Sequence, residues 1–127
     1  MLAKASSEKL ICERPWGYYE VLHQDNESGY KIKRIRMKPL SRLSLQKHQY
    51  RNEIWTIITG IGLVTINDKS IRVTAGSTIN IPMKSLHRMA NISVVPLIFV
   101  EVQTGSYLEE DDIERFQDDY NRQPHQT

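Results

Sequence analysis

The strongest constraint on this chain is a series of short segments rich in β-branched and aromatic residues, each closed by turn residues. They fall at 17–23, 30–38, 43–48, 53–59, 62–66, 70–74, 77–81, 86–90 and 96–103. Runs of four to nine such residues suit strands, because an amphipathic helix needs apolar residues at 3.6-residue spacing over ten or more positions. Turn chemistry at Asn67-Asp68-Lys69 and Thr59-Gly60-Ile61-Gly62 joins neighbouring runs into a meander. The close spacing predicts an all-β fold whose antiparallel sheet closes on itself or stacks as a sandwich. Alternation is clearest over Tyr30–Met37, which reads as one long half-buried strand with an apolar face and a cationic face.

Outside the strands, one short helix is predicted near the C-terminus. Ser106 suits an N-cap, acids follow from Leu108 onward, and Ile113, Phe116 and Tyr120 form a stripe that would pack on the sheet. The chain divides into a polar leader over 1–13, one domain over 14–120 and a flexible tail over 121–127. At 127 residues a single domain is expected.

Charge excludes some functions. A net charge of +2 is too small to argue for nucleic acid. Its distribution is uneven: residues 30–51 are basic with no acid, and residues 109–119 are acidic apart from Arg115. Each block reads either as a solvated face or, for inward-pointing members of the basic block, as a place for an anion such as a phosphate. Cys12 is the only cysteine, and the N-terminus has no apolar stretch of signal-peptide or membrane length, so a reducing cytoplasm and no membrane contact are expected. An unpaired strand at 17–23 would be an open edge, and a homodimer is the expectation from it.

The chemistry concentrates in SLQKHQYRNEIWTIITG (44–60) and AGSTINIPMKSLHRMAN (75–91). Gln46 and His48 are two apart and share a strand face, Glu53 opens the next strand, and His87 follows the turn after Pro82. Two imidazoles, a carboxylate and an amide oxygen converging inside a small barrel suit a divalent transition metal with open positions, zinc first, with manganese, iron, cobalt or nickel also compatible.

These two segments resemble the paired motifs of cupins. The first fits as Gln46-x-His48, Glu53 and Gly60, and the second as Gly76, Pro82, His87 and Asn91, with Gln46 in place of a histidine, Ser41 or a neighbour in place of the leading glycine, and Lys84 in place of the glycine after the proline. From Arg14-Pro15-Trp16-Gly17 to about Arg122, the stretches RPWGYYEVL, YKIKRIRMKP, RLSLQKH and PLIFVEVQTGSYLEEDDIERFQDDY are similar to the cupin domain at the C-terminus of type II mannose-6-phosphate isomerases. That domain is often fused to a mannose-1-phosphate guanylyltransferase.

The resemblance implies a small cupin barrel, that is, a double-stranded β-helix or jelly roll. It also implies a metal held by Gln46, His48, Glu53 and His87, and interconversion of mannose 6-phosphate and fructose 6-phosphate in the supply of nucleotide sugars for surface polysaccharide. Gln46 is what this family has in place of the first cupin histidine. Arg51 matches the family's arginine in the metal segment and is the catalytic candidate, as electrophile or substrate clamp. Lys33, Arg42 and Arg51 are the candidates for the sugar phosphate, and Tyr50 for a substrate contact. The fused guanylyltransferase's glycine-rich loop is not in these residues, so guanylyl transfer is not expected. Tyr50 and Ile54 stand where the family has histidines. Their exchange bears on proton transfer rather than on metal binding, and it keeps open a non-catalytic sugar-phosphate-binding cupin or another cupin enzyme such as a sugar-nucleotide epimerase.

Overall fold

The structure, a computed structural model, describes residues 10–122. The expected flexible tail is therefore outside the described residues from 123 onward. Eleven strands make up the fold: β1 (Leu10–Arg14), β2 (Gly17–Asp25), β3 (Tyr30–Met37), β4 (Leu45–Lys47), β5 (Arg51–Thr59), β6 (Gly62–Ile66), β7 (Lys69–Val73), β8 (Thr78–Ile81), β9 (His87–Asn91), β10 (Leu97–Gly105) and β11 (Glu114–Gln117). They form two antiparallel sheets that face each other, one ordered β1-β2-β3-β10-β5-β8 and the other β11-β4-β9-β6-β7.

Register explains why the interior has two halves. Along β3 the inward residues are Lys31, Lys33, Ile35 and Met37, so the buried face changes from cationic to apolar partway along one strand. The two faces are thus not apolar and cationic throughout, as the alternation predicts. The same change occurs on β5, where Arg51 and Glu53 precede Trp55 and Ile57, and in reverse on β10, where Leu97 and Phe99 precede Glu101 and Gln103. Antiparallel pairing aligns like with like: Phe99 sits opposite Ile35 and Ile57, whereas Glu101 sits opposite Lys33 and Trp55. One end of the barrel is therefore a sealed core, with Met37, Leu97, Phe99, Val64 and Met89 fully buried. Each such side chain contributes on the order of 2 kcal/mol by leaving water. The other end is lined with charged groups that need partners to remain buried.

Two elements differ from expectation. Residues 10–14 belong to β1, which pairs with β2 from Gly17 to Val21, so the edge expected at 17–23 is covered and β1 is the edge instead. Among the described residues there is no helix, and the stretch expected to be one contains β11, paired with β4. The acids that would suit a first helical turn serve as tethers to the barrel. The Asp112 carboxylate accepts the main-chain N–H groups of Gln49 and Tyr50 at 2.9 and 3.0 Å, and Glu110 accepts hydrogen bonds from Lys31 and Lys33. Acids with fixed partners, Asp112 buried and Glu110 half-buried, outweigh a dipole preference of well under 1 kcal/mol at an exposed helix end. Phe116, expected in the buried stripe, is exposed under the Lys47 ammonium.

Loop conformation supports the motif spacing. Lys84 adopts a φ of 69° at the position where cupins carry glycine, and its N–H donates to the carbonyl of His48 at 2.7 Å. The left-handed conformation costs a lysine roughly 1 kcal/mol, which the tie to His48 offsets. Asn91 closes the second motif as a clamp, its amide donating to the carbonyls of Lys38 and Val95.

Candidate metal centre

The polar end of the barrel converges on His48, Glu53 and His87, whose candidate ligand atoms all lie within 4.8 Å of one another. His48 Nε2 is 3.3 Å from Glu53 Oε2, and the two imidazole centroids are 5.0 Å apart. Strand pairing sets this geometry, with Gln46 directly opposite His87 across β4 and β9 and Glu53 opposite Gln103 in the facing sheet.

Each of these groups is oriented by a second contact. His48 Nδ1 is 2.6 Å from the carbonyl of Asp112, and His87 Nδ1 is 3.0 Å from the carbonyl of Ser85. A carbonyl only accepts, so each ring carries its hydrogen on Nδ1 and presents an Nε2 lone pair, which in His48 faces Arg51 Nη2 at 3.3 Å. Gln46 donates from Nε2 to the carbonyl and the hydroxyl of Ser44, which leaves Oε1 as the atom it offers to the pocket. Glu53 accepts from Trp55 Nε1 at 2.9 Å through one oxygen and from Arg51 Nε at 2.8 Å through the other.

Protonation is consistent with ligation. Burial lowers the pKa of His48 to about 4, with Glu53 opposing and Arg51 and His87 adding to the shift. Burial lowers that of His87 as well. Burial alone would raise Glu53, but Arg51 and the two imidazoles hold its carboxyl well below the usual carboxylate range. Two neutral imidazoles, one ionised carboxylate and one amide oxygen are a donor set that a divalent transition metal accepts.

The matched family model, mannose-6-phosphate isomerase C-terminal, covers residues 3–118. The chain belongs to this family. Its curated relatives include the alginate biosynthesis protein AlgA of Pseudomonas aeruginosa, 46% identical over 113 residues that make up 87% of this chain and 23% of that protein. Another is the mannose-1-phosphate guanylyltransferase ManC of Salmonella typhimurium, 42% identical over 109 residues, or 86% of this chain and 22% of that protein. The chain thus spans less than a quarter of the length of these relatives. In architecture it is similar to a cupin-2 domain from Rhodospirillum rubrum, with a TM-score of 0.72 at 17% identity over 92% of this chain and 80% of that one, which supports the cupin fold.

Within this family member the pocket unites some of the residues named from sequence and excludes others. Gln46, His48, Glu53, His87, Arg51 and Lys33 all line it. Arg42 does not: its exposed guanidinium forks onto Asp119 at 2.6 and 2.9 Å, outside the barrel. Tyr50 also lies outside, 54% exposed and edge-on to Tyr107, because the strand that carries Arg51 inward begins after it. Ile54 faces away from the pocket because it alternates with Glu53 and Trp55 on β5. Both histidine exchanges therefore fall on the outside of the barrel.

The structure adds residues that motif reading passed over. Glu101 is 4% exposed, faces Lys33 and Trp55, and accepts a 2.5 Å hydrogen bond from Gln103. Burial and the nearby Glu53 charge raise its pKa to about 7, with Lys33 and Arg51 pulling the other way. Glu110 reaches in from the loop before β11 and takes Lys33 at 2.7 Å. Burial would raise Glu110, but Lys33, Arg51 and Lys31 hold it at about 2. The sequence signal for Glu101 is an acid at an inward position directly after the apolar run that opens the strand Leu97–Gly105. No local signal marks Glu110, which belongs to an acidic run.

Proposed function

We propose that this domain is a metal-dependent aldose–ketose isomerase acting on mannose 6-phosphate and fructose 6-phosphate. The observation that supports the reading is that Gln46, His48, Glu53, His87, Arg51 and Glu101 line one pocket, while the two exchanged histidine positions, Tyr50 and Ile54, lie outside it. The names of the relatives, in alginate synthesis and mannose-1-phosphate guanylyl transfer, support a role in supplying activated mannose for polysaccharide.

Gln46, His48, Glu53 and His87 would hold one divalent cation, with zinc the first choice. When bound, the metal supplies a Lewis acid for the oxygens at C1 and C2 of the sugar. Interconversion requires a proton to leave C2 and return at C1, or the reverse. Glu101 is suited to carry it, because a carboxyl titrating near neutral pH both accepts and returns a proton. Arg51 is 5% exposed, and its Nη1 has no hydrogen-bond partner among the described residues, which leaves a fixed cationic donor for the negative charge that develops on the substrate oxygens. Trp55 and His87, with ring centroids 5.7 Å apart, form part of the wall of the site.

The test is a coupled isomerase assay on chelator-treated and metal-reloaded protein, with metal content measured alongside. Wild type should turn over mannose 6-phosphate only when loaded. His87→Ala should lose its metal, whereas Arg51→Ala and Glu101→Gln should keep it and lose activity by 10²-fold or more. Absence of turnover by the fully loaded wild type would refute the reading.

A further inference from the structure

We infer that the groove outside the barrel, between Tyr50 and Tyr107, binds the ring of a neutral sugar at a site separate from the metal-centred pocket. The inference does not depend on the isomerase reading. The groove has a volume of about 670 Å³, within the range of roughly 300–1,000 Å³ usual for small-molecule sites. Ile113 and Arg115 border both it and the inner pocket, whereas Gln46, His48, Glu53 and His87 border the inner pocket alone.

The walls of the groove are aromatic and held in place. Tyr50 and Tyr107 are 54% and 40% exposed, with ring centroids 6.0 Å apart and planes at 78°, so they form a corner with ring surface open to solvent. The Tyr107 hydroxyl donates to Asp111 at 2.6 Å, and the main-chain N–H of Tyr50 donates to the buried Asp112 carboxylate at 3.0 Å. Rings fixed before a ligand arrives lower the entropy that binding costs. Around the corner stand hydrogen-bonding groups of each kind: Lys47 donates, Asp111 and Glu114 accept, and Gln49 does both. The charges are mixed. Lys47 and Arg115 face Asp111, Asp112 and Glu114, but Asp112 is taken up by the main-chain N–H groups of Gln49 and Tyr50, which leaves two of each sign. Glu114 stands opposite Lys47 in the pairing of β11 with β4. Such a balance selects neither a phosphate nor an ammonium group. A pyranose answers the combination, because its C–H face lies on an aromatic ring and its hydroxyls both donate and accept. A proline-rich peptide would also stack on the rings, but proline has no N–H to match Asp111 and Glu114.

Titration calorimetry and amide NMR shifts on the full chain test this, with methyl α-mannoside, mannobiose and mannuronate as probes. Methyl α-mannoside has its C1 blocked and is no substrate for an isomerase. It and mannobiose should bind, with shifts at Gln49, Tyr50, Tyr107 and Asp111. Tyr50→Ala and Tyr107→Ala should each raise the Kd for mannobiose roughly ten-fold. Tyr50→Phe keeps the ring and should match wild type, as should Ile58→Ala, an exposed apolar position on β5. Tyr107→Phe keeps the ring but loses the Asp111 anchor and should fall between. Ligand-free melting midpoints establish that each variant is folded. The site would be overturned by a wild type that binds neither neutral sugar, or by an unchanged Kd in both alanine variants. Shifts confined to inner-pocket residues such as Trp55 and His87 would overturn it too, as would tighter binding of mannuronate or of a proline-rich peptide than of mannobiose.

Discussion

Replacing Asp112 with alanine should weaken both the fold and the metal centre, although Asp112 is not itself a ligand. Its carboxylate is buried at 6% exposure and accepts two main-chain N–H groups, from Gln49 and Tyr50, while its own carbonyl orients His48. Hydrogen bonds to a charged group contribute about 1.5–3 kcal/mol each, so two give about 3–6 kcal/mol. Tyr50 is exposed, so water can reach the freed N–H groups, and the lower end, about 3 kcal/mol, is expected. In a domain of this size that corresponds to a fall in melting temperature of roughly 12 °C. Because the carbonyl that fixes the His48 tautomer would no longer be tethered, metal affinity should fall about 10–100-fold. Asp112→Asn retains one acceptor and should lose about half as much stability. The assays are chemical denaturation of the metal-free protein and competition with a chromophoric chelator. An Asp112→Ala protein within 1 kcal/mol of wild type and with unchanged metal affinity would show that the loop before β11 does not position the site.

Two further outcomes follow from the same geometry. Metal-free protein should lose stability on acidification below pH 6.5. His48 holds its proton less tightly when folded, at about 4 against 6.5, so the unfolded chain takes up more protons between those values and about 3 kcal/mol is lost across that window. His87 acts in the same direction. Glu110 extends the loss, its contribution being complete above its ordinary value of 4.5 and disappearing as pH falls toward 2. Denaturant midpoints at pH 7.5, 5.5 and 4 would reveal this, and a flat profile would contradict neutral buried imidazoles. Restoring the family histidines, as Tyr50→His and Ile54→His, should change turnover and metal affinity less than two-fold, because both positions face away from the pocket. A gain of ten-fold or more in kcat would place one of them in the reaction.

What the sequence by itself determined was local and periodic. Strand positions followed from β-branched runs and turn residues. That Gln46, His48, Glu53 and His87 would line one pocket was legible, because two-residue periodicity and motif spacing fix which side chains share a face. Lys33 was named from the basic block and Arg51 from the family's metal segment, and both line the pocket. What only the tertiary structure decided depends on pairings between residues far apart in the chain. Arg42 looked like an anion ligand until Asp119, 77 residues away, was seen to occupy it. The segment after Ser106 carries a helix-like pattern, yet Asp112 and Glu110 tie it to the barrel through partners more than 60 residues away, and it pairs as a strand. Alternation along β3 showed that its faces differ but not that the inner face turns from lysine to isoleucine halfway along, which only the register with β10 makes meaningful. Arg14 opens a family stretch and Arg115 interrupts an acidic run, but neither signal says that the two line one pocket. They share a pocket because β1, on one sheet, and β11, on the other, both border it, and that closure is a property of the whole fold.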